Sequence, residues 1–201
     1  MVTLPAVSNE PEVVLGSRFV AGVADAVELH AHHARKAGSV PYVSHLLAVA
    51  GLVLEHGGDE DQAIAALLHD GPEDQGGEAT LADIRKRFGP RVAHIVQGCS
   101  DTFATPKPPW RARKEAFVDR LSTLDADTWL VIAADKVHNA RTIVDDLRAQ
   151  GPATLERFTG KRDGTLWYYG AIAAELAELA PGPLADELAA LVAEMRSLAE
   201  R

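Results

Sequence analysis

Apolar residues recur every three to four positions along most of the chain, which is the spacing of one face of an α-helix. Alternating apolar and polar runs of convincing strand length do not occur, so the pattern predicts an all-α fold. Glycine and proline separate the helical stretches, and Asp59 is a suitable N-cap for the third of them. The predicted helices cover 17–36, with Ser17 as the N-cap, then 42–56, 60–69, 80–88, 90–98, 111–122, 125–150, 152–158, 165–179 and 184–200.

The domain organisation follows from the length of the chain and from the break in the helical pattern at Pro181-Gly182-Pro183. A chain of 201 residues is long enough for one domain with its own hydrophobic core. We expect an N-terminal extension over 1–16, a single-domain helical bundle over 17–180, and a last amphipathic helix over 181–201. That helix can pack on the bundle or on a second copy of the chain, so a homo-oligomer is one expectation.

Composition narrows the class of partner. Asp and Glu total 29 against 20 for Lys and Arg, and the net charge of -9 argues against broad binding of a nucleic acid polymer. A small phosphorylated ligand fits this balance if basic residues cluster locally. Only one cysteine, Cys99, is present, so neither an intrachain disulfide nor a four-cysteine zinc site is expected. Charged residues interrupt every apolar run and no signal-peptide pattern opens the chain, so we expect no membrane span and a cytoplasmic location.

The helix predicted over 125–150 carries polar residues where its apolar face continues. Its segment 129–134 is apolar nearly all round, which predicts deep burial. Asp135, His138, Asn139 and Thr142 follow at helical spacing on one face. A carboxylate there is costly unless a positive group compensates it, so Asp135 is either a metal ligand or a salt-bridged structural residue. His138 could orient a ligand or make a buried structural hydrogen bond.

Two further helices place metal-binding side chains on apolar faces. His45 shares a face with Val49 and Leu52, and His69-Asp70 closes an apolar helix before Gly71-Pro72. Imidazole and carboxylate together are the ligand set of Mn²⁺, Fe or Zn²⁺, and the interiors of helical bundles are where such sites are built. Two of each leave coordination positions for water and substrate, as a hydrolytic site requires. His30, His32 and His33, by contrast, are expected mainly at the surface.

The ordered set of His45, His69-Asp70 and Asp135 resembles the HD superfamily of metal-dependent phosphohydrolases. Within it, the local sequence around these residues resembles the hydrolase domain of the Rel/Spo family, including its small alarmone hydrolases. The likeness extends over roughly 21–169. It is carried by Arg35-Lys36-Ala37-Gly38, Pro41-Tyr42-Val43-Ser44-His45, Leu67-Leu68-His69-Asp70-Gly71-Pro72-Glu73-Asp74 and Ala134-Asp135-Lys136-Val137-His138-Asn139-Ala140-Arg141-Thr142.

This resemblance implies a helical bundle with one divalent ion in its core, most simply Mn²⁺. It also implies removal of the 3′-pyrophosphate from guanosine or adenosine alarmones such as ppGpp, by a water molecule that the ion activates. The residue roles it implies are a metal set of His45, His69, Asp70 and Asp135, a water-activating pair of Glu73 and Asp74, and nucleotide contacts from Arg35, Lys36, Asn139 and Thr142. We add Arg141 and Lys161 as candidates because an anionic substrate needs positive charge. Two alternatives stay open: an HD phosphohydrolase for other nucleotides or phosphate esters, and a helical binding module without catalysis.

Overall fold

The computed structural model describes residues 15–35 and 39–201, and the prediction of an all-α fold is confirmed for them. They contain ten α-helices, two 3₁₀ turns and no β-strand. The helices are α1 (Ser17–Leu29), α2 (Val43–Glu55), α3 (Glu60–Leu68), α4 (Gly71–Asp74), α5 (Glu78–Phe88), α6 (Pro90–Cys99), α7 (Trp110–Arg120), α8 (Ala126–Gln150), α9 (Lys161–Leu179) and α10 (Pro183–Ala199), with 3₁₀ turns at Leu121–Thr123 and Pro152–Arg157.

The first helix differs from the prediction at both ends. Its N-cap is Gly16, not Ser17, and the backbone N–H of Gly16 donates to the Glu60 carboxylate. It ends at Leu29, seven positions before the predicted end, because the chain then turns back on itself. An isolated antiparallel bridge pairs Ala34 with Pro41 there. Of the predicted nucleotide contacts, Lys36 lies outside the described residues.

Local capping explains where two of the central helices begin. Asp59 caps α3 as predicted: its carboxylate accepts from the Gln62 N–H while the Gln62 side chain accepts from the Asp59 N–H. Asp125 accepts from the Thr128 N–H at the start of α8 in the same way. Both helices therefore begin at fixed residues, and this fixes the positions of the polar side chains that they carry.

The periodic pattern missed the short helix that directly follows His69 and Asp70, and it missed the start of α9. The segment 71–74 is a short helix, α4, where a simple break was expected. Helix α9 starts at Lys161 and passes through Gly164, four positions before the predicted start. Glycine suits this place because a Cβ at Gly164 would lie 3.0 Å from the Trp110 ring. Close packing outweighs the poor helix propensity of glycine here.

Helix α3 is the centre of the fold. Its residues from Ala63 to Leu68 are all buried, and it packs against α1, α2, α6 and α8. Helix α10 packs on α8 and α9. The consequence for function is that α2, α3 and α8 meet in the interior, with the polar positions of each facing the others. No helix among the described residues is both long and apolar enough to cross a membrane.

Candidate metal centre and cavity

Two buried imidazoles form the base of the site. His45 on α2 is 0% exposed and His69, which ends α3, is 3% exposed. The Nε2 atoms of both rings are buried, and neither finds a partner of good hydrogen-bond geometry among the described residues. Unpaired buried polar atoms are rare in native proteins, and a metal ion is one of their ordinary explanations.

Two carboxylates face those nitrogen atoms. Asp70 Oδ2 lies 3.6 Å from His45 Nε2 and 3.1 Å from His69 Nε2. Asp135 Oδ1 lies 3.2 Å and 3.6 Å from the same two atoms. Ligand bonds of about 2.1 Å separate neighbouring donors by about 3 Å or slightly more, so these spacings fit one ion. His45, His69 and Asp70 each offer a ligand atom within 4.8 Å of the other two, so these three side chains can hold a divalent cation, and Asp135 faces the same two imidazoles.

Electrostatics point the same way. Burial acts to raise the pKa of Asp135, but the Lys136 ammonium and the two imidazoles outweigh it and hold the pKa well below its usual range. Burial likewise acts to lower the pKa of His69, but Asp70 and Asp135 raise it well above the ordinary value. Without an ion, the carboxylates thus draw a proton onto an imidazole. A bound divalent ion would supply that positive charge in place of the proton.

The Nδ1 atom of each imidazole, on the other side of the ring from Nε2, has a hydrogen-bond partner that fixes the orientation of the ring. His69 Nδ1 lies 2.8 Å from the Ala66 carbonyl oxygen, so Nδ1 carries the proton and donates. His45 Nδ1 lies 2.8 Å from His138 Nδ1. Burial, followed by the charges of His45 and Arg35, lowers the pKa of His138 to about 4. A neutral His138 can thus share one proton with His45, as partners of metal-binding histidines commonly do.

Hydrogen bonds also hold the two carboxylates. Asp135 accepts from Lys136 Nζ on Oδ2 at 2.6 Å and from the Asn139 amide on Oδ1 at 2.5 Å. Asp70 Oδ2 accepts from the Tyr42 hydroxyl at 2.6 Å. Burial and the Asp70 charge both raise the pKa of Tyr42, so the phenol stays protonated and remains a donor.

A cavity of about 430 Å³ opens above Asp70 and Asp135. Of the residues that the structure describes, three cations face it, Arg35, Lys114 and Lys136. The carboxylates outnumber them, so the cavity favours an anionic ligand only once a cation is bound. The carboxylates in its wall are Asp70, Glu73, Asp74, Asp101, Asp135 and Asp146. The aromatic residues in its wall are Tyr42, Trp110, Phe117, Phe158, Tyr168 and Tyr169.

The predicted water-activating pair lines this cavity, and its two members have different surroundings. Glu73 accepts from the Asp101 backbone N–H and from Lys107 Nζ, each at 3.3 Å. Asp74 has Lys107 as its ion-pair partner, at 3.8 Å. Burial is the main cause that raises the pKa of both carboxyls, with Asp101 adding to it for Glu73 and Asp70 for Asp74. Raised pKa values in a cleft are typical of groups that take up protons.

The fold places some of the residues predicted to contact the nucleotide at the cavity and others away from it. Arg35, Asn139 and Thr142 line the cavity, and Arg35 Nη2 donates to Asn139 Oδ1 at 2.8 Å. Arg141 does not line it, because its guanidinium makes two hydrogen bonds with Glu187 on α10. Lys161 is also outside the lining and exposed, and it donates to the Glu156 carbonyl oxygen. The placement of these two residues gives no support to substrate contact.

Some residues of the site had no usable signal in the sequence. His30 was expected at the surface but is 3% exposed and stacks on Tyr42 at 4.9 Å. His30 directly follows the early end of α1, where the chain leaves the helix, and its side chain is buried there. His33, also expected at the surface, is half-buried and lines the cavity, whereas His32 is exposed as predicted. Trp110 follows a proline-rich loop and precedes the predicted helix over 111–122, so the helical pattern did not mark it as a cavity residue.

Comparison with known proteins finds relatives named as pyrophosphohydrolases. A *Xenopus tropicalis* protein named guanosine-3′,5′-bis(diphosphate) 3′-pyrophosphohydrolase MESH1 is 35% identical over 121 residues, which are 59% of this chain and 65% of that protein. The *Haemophilus influenzae* guanosine-3′,5′-bis(diphosphate) 3′-pyrophosphohydrolase is 35% identical over 122 residues, 58% of this chain and 17% of that protein. A *Synechocystis* protein named as a probable enzyme of the same kind is 33% identical over 124 residues, 59% of this chain and 16% of its own length. The chain thus spans about a sixth of the two bacterial relatives.

Solved structures and a family profile extend the likeness to the fold. A structure of a metazoan SpoT orthologue, described as hydrolysing ppGpp, superposes with a TM-score of 0.75 at 25% identity and covers 93% of this chain and 99% of that one. A *Listeria monocytogenes* protein superposes with a TM-score of 0.67 at 30% identity, covering 78% and 99%. The profile described as HD domain matches residues 23–161. Since this match takes in more than half of the chain and all four residues of the candidate metal centre, the chain belongs to the HD domain family.

Proposed function

We propose that the protein is a metal-dependent hydrolase that removes the 3′-pyrophosphate from guanosine or adenosine alarmones such as ppGpp. The observation that carries this proposal is the pair of buried, unpaired Nε2 atoms facing two carboxylates at the floor of a cavity. The names of the relatives support the substrate class. An expected cytoplasmic location and a possible homo-oligomer stay predictions.

His45, His69, Asp70 and Asp135 would hold the ion in this proposal. Two imidazoles and two carboxylates suit a first-row divalent metal, and we propose Mn²⁺ as the resident ion. When bound, the ion supplies Lewis acidity, which makes water more acidic and offsets the charge of phosphoryl oxygens. All four residues lie on helices or at helix ends, which suits a site that is organised before the substrate arrives.

We assign the proton transfer to Asp74 and a supporting role to Glu73. The ion pair of Asp74 with Lys107 is long, at 3.8 Å, and its pKa is raised, so its carboxylate is available to take the proton of the attacking water. Glu73 is engaged by Lys107 and by the Asp101 N–H, which suits a residue that holds this rim of the cavity in place. Proton uptake by Asp74 also removes a negative charge from the path of the anionic product.

The remaining assignments concern substrate binding. Arg35 lines the cavity and supplies positive charge there, and we assign nucleotide binding to Lys36 as well, the next residue in the sequence. Asn139 and Thr142, one helical turn apart on α8, offer an amide and a hydroxyl to the sugar or phosphate oxygens. A nucleobase can stack on the aromatic wall opposite.

The direct test is a product panel read by chromatography. Purified protein with Mn²⁺ is given ppGpp, its adenosine analogue and common nucleotides, and we expect pyrophosphate from the alarmones, with loss of activity on chelation. Release of orthophosphate from other nucleotides instead would favour the more general phosphohydrolase. The same metal content in wild type, His69→Ala and Asp135→Ala proteins, with no turnover by any of them, would favour a binding module.

A further inference from the structure

The Tyr42 hydroxyl reaches the same oxygen of Asp70 that faces the two imidazoles. It donates to Asp70 Oδ2 at 2.6 Å, and that atom lies 3.6 Å from His45 Nε2 and 3.1 Å from His69 Nε2. A carboxylate oxygen has two lone pairs, so one can accept this hydrogen bond while the other is directed at an ion. The contact therefore orients Asp70 and does not compete with metal binding.

The orientation of Asp70 depends more on the Tyr42 hydrogen bond than the orientation of Asp135 depends on either of its two hydrogen bonds. Asp135 is held by both Lys136 and Asn139. For Asp70, the side-chain hydrogen bond outside the ligand set comes from Tyr42, within the part of the chain that the structure describes. Asp70 precedes α4 but makes no side-chain cap to it, so its own helix does not fix the carboxylate. Loss of the hydroxyl would leave Asp70 free to rotate.

The Tyr42 ring is itself held in place. Its backbone N–H donates to the His33 carbonyl oxygen at 2.9 Å, which closes the turn before α2. His30 stacks on the ring at 4.9 Å with an interplanar angle of 18°. The edge of the ring meets His45 at 5.6 Å. A donor held by packing and by backbone contacts loses little entropy when it makes its hydrogen bond.

Arg35 connects this arrangement to the other carboxylate. Its Cζ lies 5.9 Å from the centre of the Tyr42 ring, within cation–π range. Its guanidinium donates to Asn139, which in turn donates to Asp135. Contacts thus run from Asp70 through Tyr42, Arg35 and Asn139 to Asp135. The turn that carries the proposed nucleotide contact also supports both acidic ligands.

We infer that Tyr42 is a positioning residue whose hydroxyl sets the orientation of Asp70 and, through it, the affinity of the site for its divalent ion. This inference rests on the metal centre of the proposed function. It differs from that proposal in assigning part of the metal affinity to a residue outside the proposed set of metal ligands.

The test is Tyr42→Phe, which removes the hydroxyl and keeps the ring and its stacking. Isothermal titration of the metal-free protein with Mn²⁺ should give an affinity about 10-fold to 100-fold weaker than wild type, the usual effect of losing an outer partner of a metal ligand. With Mn²⁺ below saturation kcat should fall, while KM changes little. Tyr169→Phe is the matched control, since Tyr169 also lines the cavity, and its Mn²⁺ affinity should match wild type.

Two results would overturn the inference and separate it from the proposed function. If wild type binds Mn²⁺ and Tyr42→Phe binds it equally well, Tyr42 does not position Asp70, while the metal centre stands. If KM rises with unchanged Mn²⁺ affinity, Tyr42 is a substrate contact instead. A wild-type protein that binds no divalent ion overturns the metal centre and the inference together.

Discussion

The wall of the cavity at Trp110 offers a sharp test of the packing that shapes the site. Gly160 precedes α9 at φ -72°, a conformation open to any residue, so Gly160→Ala adds no backbone strain. The new Cβ would nevertheless lie 2.5 Å from Trp110 Cη2 and 2.7 Å from Cζ2. Carbon atoms in contact sit about 3.5–4.0 Å apart, so the indole must move by about 1 Å.

The size of the effect follows from this overlap and from a control glycine. Forcing an extra methyl into a packed site costs about 1–3 kcal/mol in the free energy of unfolding. Gly51→Ala on α2 gives the same loss of unfolded-chain entropy, but its Cβ meets nothing within 4 Å. That control should gain about 0.4–1 kcal/mol. For a chain of this length the clash corresponds to a fall in Tm of about 2–12 °C.

Calorimetry of the two variants and wild type measures the difference directly. We expect Gly51→Ala to melt at or above the wild-type temperature and Gly160→Ala below it. Because Trp110 lines the cavity and lies outside the metal centre, Gly160→Ala should raise KM and leave Mn²⁺ affinity unchanged. A Gly160→Ala protein that melts together with Gly51→Ala, and keeps the wild-type KM, would refute the described contact between α9 and Trp110.

Three further predictions address the ion, the acid pair and the basic residues. Mn²⁺ at 100 times its Kd should raise the free energy of unfolding by about 2.7 kcal/mol, which is about 5–11 °C in Tm; EDTA should reverse the shift, and His69→Ala should show none. Burial and Asp70 raise the pKa of Asp74, so ionisation of this carboxyl weakens the metal-free folded state at neutral pH. Asp74→Asn should therefore unfold at a higher temperature than wild type at pH 7 in EDTA but not below about pH 4, and it should lose activity; equal Tm values at pH 7 contradict this. Arg35→Ala should raise KM about 10-fold to 100-fold, whereas Arg141→Ala, which breaks an exposed pair with Glu187, should leave KM unchanged; equal KM effects would count against the assignment of Arg35.

Several features of the fold could be predicted because they depend on neighbours in sequence. The period of apolar residues on α2, α3 and α8 reports which face of each helix is buried, and Asp59 marks a helix start through its own hydrogen bonds. The polar residues on those buried faces stood out for the same reason. Errors occurred where distant contacts act: α1 ends early because a turn pairs Ala34 with Pro41. Helix α9 starts early because Gly160 and Gly164 pack against Trp110.

The amino-acid sequence by itself determined an all-helical chain with two histidines and two aspartates on apolar helix faces, since helix periodicity is a local property of the chain. Only the tertiary structure decided that Asp70 and Asp135 each lie 3.1–3.6 Å from the two imidazole Nε2 atoms, that Tyr42 reaches Asp70, and that Arg141 turns away to Glu187. The reason is that periodicity specifies which side of a helix is buried but not which neighbour it is buried against. That second choice depends on how side chains remote in sequence pack together, and here it determines the chemistry.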